Sequence, residues 1–289
     1  MAGALIAIDW GTTNRRIFVL DAAGHVLVTA RDGVGLLGVA NGDFAGEVAA
    51  IRARHGDLPV ILAGMVGSAK GWVEVPYLTC PASIEDLARS LCWVEPGRTA
   101  IVPGLSDPAG DVMRGEEVQV LGAAAAGLVP PDALLCQPGT HCKWVRVAAG
   151  RITGFATTMT GELFALLKAH SLLADFLGGE VADGTPFRDG VCDGLSGRLT
   201  SLLFRVRAAA LLGQRPVAQS AAYASGLLIG HDVGGEAFDR GQIVHLLADP
   251  QLGALYASAI RLAGGNPVLI DSHAAFVAGI NLVWKASRP

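Results

Sequence analysis

The sequence is short of charge, of basic clusters and of paired cysteines, and each shortage removes a class of function. Asp, Glu, Lys and Arg make up 17% of its 289 residues against 51% hydrophobic residues, which excludes disorder as the main state. A chain of this length can bury a substantial core and hold two domains of ordinary size. The formal charge of -4, with no cluster of Lys and Arg, gives no electrostatic footprint for nucleic acid. The five cysteines (Cys80, Cys92, Cys136, Cys142, Cys192) are odd in number and form no Cys-x-x-Cys pair. Neither a zinc site nor a disulfide framework follows, and free thiols in a reducing cytosol are expected. Mean hydropathy is high at +0.44. Even so, no apolar run reaches the ~18 to 20 residues of a membrane span. The longest candidate, residues 118–129, is rich in Ala and Gly and suits a buried helix. Met1 leads into an apolar strand without a charged leader or a cleavage site, so a cytoplasmic location is expected.

What is present starts at the N-terminus. Ala4 to Ile8 is apolar and partly β-branched, as a buried strand requires. Asp9-Trp10-Gly11-Thr12-Thr13-Asn14 follows, then a second apolar stretch from Ile17 to Leu20 and a turn ending at Gly24. A glycine here lets backbone amides approach an anion closely. Thr12 and Thr13 can donate hydroxyls to phosphate oxygens, and Asp9 can hold a hydrated magnesium ion, which prefers oxygen ligands. The bland alternative is an aspartate that shapes a hairpin turn.

A second copy weakens that alternative. Leu134 to Gln137 reads as a strand, followed by Pro138-Gly139-Thr140-His141, a strand from Lys143 to Val147, a turn at Ala149-Gly150 and a strand from Ile152 to Phe155. Both halves thus begin with three short strands and a Gly-Thr pair in the first bend. This duplicated start resembles the ATPase superfamily of actin, hexokinase and Hsp70, whose two loops clamp the phosphates of ATP between two domains. The resemblance implies an α/β fold of two ribonuclease H-like (actin-like ATPase) domains, with mixed sheets flanking an interdomain cleft. Pro130-Pro131 is the natural boundary. The expected domains are 1–130, with the substrate site, and 131–289, with the nucleotide site and a helical insertion.

The rest of the chain alternates strand and helix. Residues 45–54 look helical, and 59–63 is a buried strand ending in the glycine-punctuated loop Gly64-Met65-Val66-Gly67-Ser68. Loops at that edge of an open α/β sheet are where ligands bind. Ser83, with Asp86 in the capping-box position, starts another helix. A strand at 99–104 and a helix at 115–126 complete the first half. The second half carries a mainly helical stretch from Glu162 to about Gly230. After it come a strand at 242–247, a helix at 252–262, a strand at 268–270 and a closing helix at 274–284.

With these pieces placed, the chain closely resembles the 2-dehydro-3-deoxygalactonokinase family over nearly its full length. The match rests on 9–14 with Arg16, on Ala63 to Ser68, and on Gly71-Trp72 with Pro76-Tyr77. It continues through Val112-Met113-Arg114-Gly115-Glu116-Glu117 with Gln119, and Pro138 to Trp144. Met159-Thr160-Gly161-Glu162 and Ser225-Gly226-Leu227-Leu228-Ile229-Gly230 complete it. The chain departs from the pattern around Ala248-Asp249-Pro250 and Ser272-His273, where glycine-bearing turns are absent. The resemblance implies ATP- and Mg2+-dependent phosphorylation of the 6-hydroxyl of a six-carbon 2-keto-3-deoxy sugar acid in galactonate breakdown. No nucleic-acid or membrane partner is implied, and a homodimer is the assembly considered.

Phosphoryl transfer needs charge neutralisation and alignment more than covalent chemistry. Asp9 is the expected metal organiser, while Gly11, Thr12, Thr13, Gly139 and Thr140 form the phosphate clamps. Lys143 either reaches a phosphate or is solvated on an exposed hairpin. His141 either binds phosphate or substrate or is a satisfied interior histidine. A carboxylate must accept the proton of the attacking hydroxyl. By analogy with a Gly-Asp-Gln element in related carbohydrate kinases, Glu116 is first choice, with Glu117 and Asp111 behind it. The competing reading is that both glutamates complement the helix dipole. Glu162 is a further carboxylate beside the second clamp and a candidate magnesium ligand. The substrate carboxylate asks for Arg or amide donors. Arg16 and Arg114 are the candidates, each equally able to be a structural ion pair. Gly64, Met65 and Trp72, with Tyr77, are expected at the sugar pocket, or else Trp72 and Tyr77 are packing. Arg205 and Arg207 default to structure.

A non-catalytic regulator that binds sugar or nucleotide is the main competitor, a phosphatase of the same superfamily a weaker one, and an actin-like filament protein the weakest. The epimeric gluconate-derived acid stays open as substrate.

Overall fold

The structure, a computed structural model, describes residues 2–288. Strands β1 (Gly3–Trp10), β2 (Arg15–Asp21) and β3 (Val26–Asp32) form an antiparallel meander, in which Ile8 faces Ile17 and Asp9 faces Arg16. Helix α1 (Phe44–His55) starts at Asp43, whose carboxylate accepts the Gly46 N–H, and leads to β4 (Val60–Gly64), wholly buried and parallel to β1. The chain continues through β5 (Leu78–Thr79), α2 (Ile84–Arg89), β6 (Cys92–Glu95), β7 (Thr99–Ile101), β8 (Leu105–Asp107), β9 (Asp111–Met113) and α3 (Glu116–Ala125). The capping box of Ser83 and Asp86 is formed at α2, as its spacing predicts.

The second half repeats the opening with β10 (Ala133–Gln137), β11 (Cys142–Ala148) and β12 (Arg151–Thr158). Four helices follow: α4 (Thr160–His170), α5 (Thr185–Gly194), α6 (Leu199–Leu211) and α7 (Val217–Gly235). The chain ends with β13 (Ile243–Leu247), α8 (Pro250–Leu262), β14 (Asn266–Ile270) and α9 (Ser272–Ala286).

Strand order carries the duplication. One sheet runs β3-β2-β1-β4-β7-β6 and another β12-β11-β10-β13-β14, so the first five positions follow one connectivity. Each has a parallel core, β1-β4-β7 in one and β10-β13-β14 in the other. The first adds antiparallel pairs, β1 with β2, β2 with β3, and β6 with β7, which makes it mixed. β5, β8 and β9 form a small third sheet that two- and three-residue strands did not reveal in the sequence.

Two compact units emerge: Met1–Asp132 with Val145–Phe155 and Asp271–Pro289, and Ala133–Trp144 with Ala156–Ile270. The core of the first includes Ile6, Ile8, Trp10, Val48, Ile51, Val60 and Leu62. The core of the second includes Leu134, Trp144, Phe187, Val191, Ile229, Val244 and Leu246. The closing helix α9 therefore belongs to the first unit, which corrects the expected 131–289 boundary. Its packing on α3 is the reason. A Cβ on Gly122 would lie 2.1 Å from the Ala275 carbonyl oxygen, and one on Gly279 2.0 Å from that of Val118, so the two backbones touch.

The same device joins α5 to α7 in the second unit. A Cβ on Gly226 would meet the Phe187 carbonyl oxygen at 2.0 Å, and one on Gly190 that of Tyr223 at 2.1 Å. The string at 225–230 thus holds helices together. At the two places that lack glycine-bearing turns, an aspartate starts the helix instead. Asp249 accepts the Gln251 and Leu252 N–H groups at α8, and Asp271 those of His273 and Ala274 at α9.

Candidate active site

In the first unit, β1 ends at Trp10 and the chain reverses with the Gly11 N–H donating to the Asn14 carbonyl at 2.9 Å. The loop is braced from one side. The Leu36 and Leu37 N–H groups donate to the carbonyls of Gly11 and Thr12 at 3.0 and 3.2 Å, and a Cβ on Gly35 would lie 2.3 Å from the Thr13 carbonyl carbon. Thr12 and Thr13 are exposed on this fixed backbone. Asp9 does not cap the turn: its carboxylate accepts from Arg16 across the strand pair. The preceding arginine has a different fate. Arg15 is buried, ion-paired with Asp32 and Glu47 at 2.9 and 2.8 Å, with its guanidinium 4.9 Å from the Trp10 ring centre.

Three chain segments meet where β4 ends. Gly64 has φ +97°, and a Cβ there would sit 2.7 Å from the Trp10 carbonyl oxygen. Gly115, at φ +107°, brings its own Cβ position to 3.1 Å from the Gly64 Cα. Positive φ and backbone contact together require glycine at both. This junction sets the start of α3 beside Gly64-Met65. Glu116 accepts the Arg114 N–H at 3.0 Å and stays partly exposed. Glu117 is fully buried, and both its oxygens accept the Gly115 N–H, at 2.9 and 2.7 Å. Burial first, and the neighbouring Glu116 charge second, push the Glu117 carboxyl up to about 8.

Asp111 lies on the β8–β9 hairpin opposite Asp107 and accepts the Val112 N–H at 2.6 Å. Arg114 is buried, donates to the Val75 carbonyl at 2.7 Å and stacks 4.3 Å from the Tyr77 ring centre. Its Nε and Nη1 are enclosed and have no hydrogen-bond partner among the described residues. Trp72 stacks on Phe44 at 6.4 Å with 10° between the rings, at the margin of the core.

In the second unit, the bend between β10 and β11 carries Gly139, Thr140 and His141, with Thr140 and His141 exposed. The N-terminus of α4 lies directly against it. A Cβ on Gly161 would be 2.3 Å from the Gly139 carbonyl oxygen, and the Glu162 N–H donates to the Thr140 carbonyl at 2.8 Å. The Glu162 carboxylate pairs with His141 Nε2 at 2.6 Å. Gly139, Thr140, His141 and Glu162 are therefore one cluster.

The family described as 2-keto-3-deoxy-galactonokinase matches residues 9–283. The chain belongs to that family. It is 37% identical to the protein designated 2-dehydro-3-deoxygalactonokinase DgoK1 of Rhizobium meliloti (strain 1021), over 100% of this chain and 99% of that one. It is 36% identical to the 2-dehydro-3-deoxygalactonokinase of Escherichia coli (strain K12), over 99% of both. A crystal structure from Sinorhizobium meliloti with the 2-dehydro-3-deoxygalactonokinase designation superimposes with a TM-score of 0.91 at 35% identity, covering 99% of each chain.

Within this galactonokinase-family chain, two residues differ from or escape the sequence reading. Lys143 is buried on β11, so the alternative of a solvated hairpin lysine does not hold. Asp232, on α7, escaped notice. It is a buried carboxylate that accepts from Trp144 Nε1 at 2.9 Å, Tyr256 Oη at 2.6 Å and Thr160 Oγ1 at 2.8 Å. The signal was there: an acidic residue in a long Ala-, Gly- and Leu-rich helix needs partners if it is buried.

Proposed function

We propose that this chain transfers the γ-phosphoryl group of ATP to the 6-hydroxyl of 2-dehydro-3-deoxy-D-galactonate within galactonate breakdown. Membership of the galactonokinase family along the whole chain is the observation that carries the proposal. The repeated strand order supports reading the fold as two ribonuclease H-like, actin-like ATPase domains. In the reaction the O6–phosphorus bond forms, the bond from phosphorus to the ADP oxygen breaks, and a base takes the O6 proton.

The geometry supports the following roles. Glu116 is the base. Glu117, pushed up to about 8, holds its proton at neutral pH and is walled in, so it cannot accept another. Exposed hydroxyls of Thr12, Thr13 and Thr140 on braced loops suit phosphate oxygens, and Lys143, buried on the strand that follows, stays a candidate only if it reaches one from beneath the loop. Gly64 and Met65, beside Glu116, suit the sugar acid. Arg16 is the better candidate of the two arginines for its carboxylate, because the Arg114 guanidinium is enclosed. Among the described residues no three His, Cys, Asp or Glu side chains gather as a metal cage. Magnesium in phosphoryl transfer takes one or two carboxylates and completes its shell with phosphate and water, so Asp9 in the first unit, or Glu162 in the second, fits that demand. When bound, the ion would neutralise charge on the phosphates.

The test is coupled ATP consumption by the purified chain with magnesium and either C4 epimer. Turnover on the galactonate-derived acid well above that on the gluconate-derived one is expected. Preference for the other epimer would reassign the substrate, and binding without turnover on either would make the chain a regulator.

A further inference from the structure

Met159, at the N-cap of α4, makes no side-chain cap bond. The start of this helix is held from a distance instead. Thr160, its first residue, donates to Asp232, and Thr158 Oγ1 lies 3.1 Å from Thr160 Oγ1, placed to donate to it in turn. One residue further on, Gly161 presses on the Gly139 carbonyl, and Glu162 ties the Thr140 carbonyl and His141. Asp232 itself is immobilised by Trp144 from β11 and Tyr256 from α8. A buried carboxylate with three donors from three elements is a fixed point, since each bond to an ionised acceptor is stronger than a neutral one.

We propose that Asp232 is a positioning residue for the second Gly-Thr loop, acting through Thr160. It fixes the first turn of α4, and that turn fixes the backbone of Gly139-Thr140. This rests on reading that loop as a phosphate clamp. It assigns to Asp232, a buried residue, a role in nucleotide affinity. Of its three donors, Thr160 reaches the loop through the first turn of α4, while Trp144 lies on β11, the strand that leaves the loop. Tyr256 makes a bond of similar length and belongs to the core.

That asymmetry supplies the test. ADP with magnesium is titrated calorimetrically into the full chain and into T160V, T160S, Y256F and D232N, with thermal unfolding recorded for each. Loss of one hydrogen bond to a charged acceptor corresponds to about a tenfold change in an equilibrium constant. T160V should raise the Kd for ADP by about that factor, without changing the KM for the sugar acid. T160S, which keeps the hydroxyl, should restore wild-type affinity. Y256F should lower the Tm while leaving the Kd for ADP unchanged. D232N should do both, and if it does not fold, T160V carries the test alone. T160V binding ADP like wild type, or Y256F weakening ADP as much as T160V does, would overturn the proposal. A wild-type chain that binds no ADP removes the phosphate-clamp reading itself, and a normal ADP titration with a silent T160V removes only the role of Asp232.

Discussion

The two Gly-Thr loops occupy equivalent places in sheets of equivalent strand order, yet each is held in a different way. The loop at 11–14 is clasped by an irregular segment, with Leu36 and Leu37 donating to its carbonyls and Gly35 lying against its backbone. The loop at 138–141 is clasped by the first turn of α4, through Gly161 and Glu162. Their charge pairs differ as well. Asp9 meets Arg16, which is always a cation, while Glu162 meets His141, which is a cation only when protonated. The strands and the Gly-Thr pair at the bend recur in both halves, whereas the scaffolding behind each bend differs. A loop that must keep its shape needs its carbonyls occupied, and a coil segment and a helix terminus both satisfy that need.

Removing acid groups should separate the two loops most strongly. The proposed base, Glu116, belongs to the first unit, so E116Q should lower kcat by roughly 10² to 10⁴-fold with little change in KM. Steady-state kinetics on the galactonate-derived acid measure this; a variant with normal kcat would return the role to Asp111. D9N, a near-isosteric loss of charge, should cost on the order of 10²-fold in kcat. E162Q in the second cluster should cost less than D9N, and an equal or larger loss would move the metal role to Glu162.

Backbone contacts come next in size. G35A and G161A each place a methyl group against a carbonyl of the loop it braces, and each should lower stability by ~1–3 kcal/mol in denaturant melts. If only one does so, the two braces are not equivalent in stiffness. Smaller per pH unit, though spread over a wide window, is a pH effect in the first unit. Raised from 4.5 to about 8 in the folded state, Glu117 contributes stability that is present in full below 4.5 and is lost as pH rises through about 8. E117Q, which can still accept the Gly115 N–H, should remove a slope approaching ~1.4 kcal/mol per pH unit across that window. A stability curve of unchanged slope would mean that Glu117 ionises freely. Least of all, H141N should change stability by less than ~1 kcal/mol, because its ion pair is exposed.

Much of this could be read in advance because it rests on local patterns. The two three-strand openings, the capping box at α2 and the buried helix after Gly115 each follow from periodicity or a short motif. So does placing Gly64-Met65 at a strand end. The parts that could not be read depend on contacts distant in sequence. Arg15 and Arg16 look alike, yet the alternation of a strand turns one inward to Asp32 and Glu47 and the other to Asp9. Lys143 is buried because β11 is buried along that face. The glycines at 226 and 230 signal close approach, but nothing local says whether a ligand or a helix approaches. The three strands of the small sheet are too short to show an alternation at all.

The return of α9 to the first unit has a consequence for the order of events in synthesis. Helix α3 is made long before α9, and the groove over Gly122 that α9 fills waits until residues 272–286 have been translated. Every growing chain thus passes through a stage in which the apolar flank of α3 is bare, while the whole of the second unit is already available to fold. The last helix sets the earliest moment at which the first unit can close.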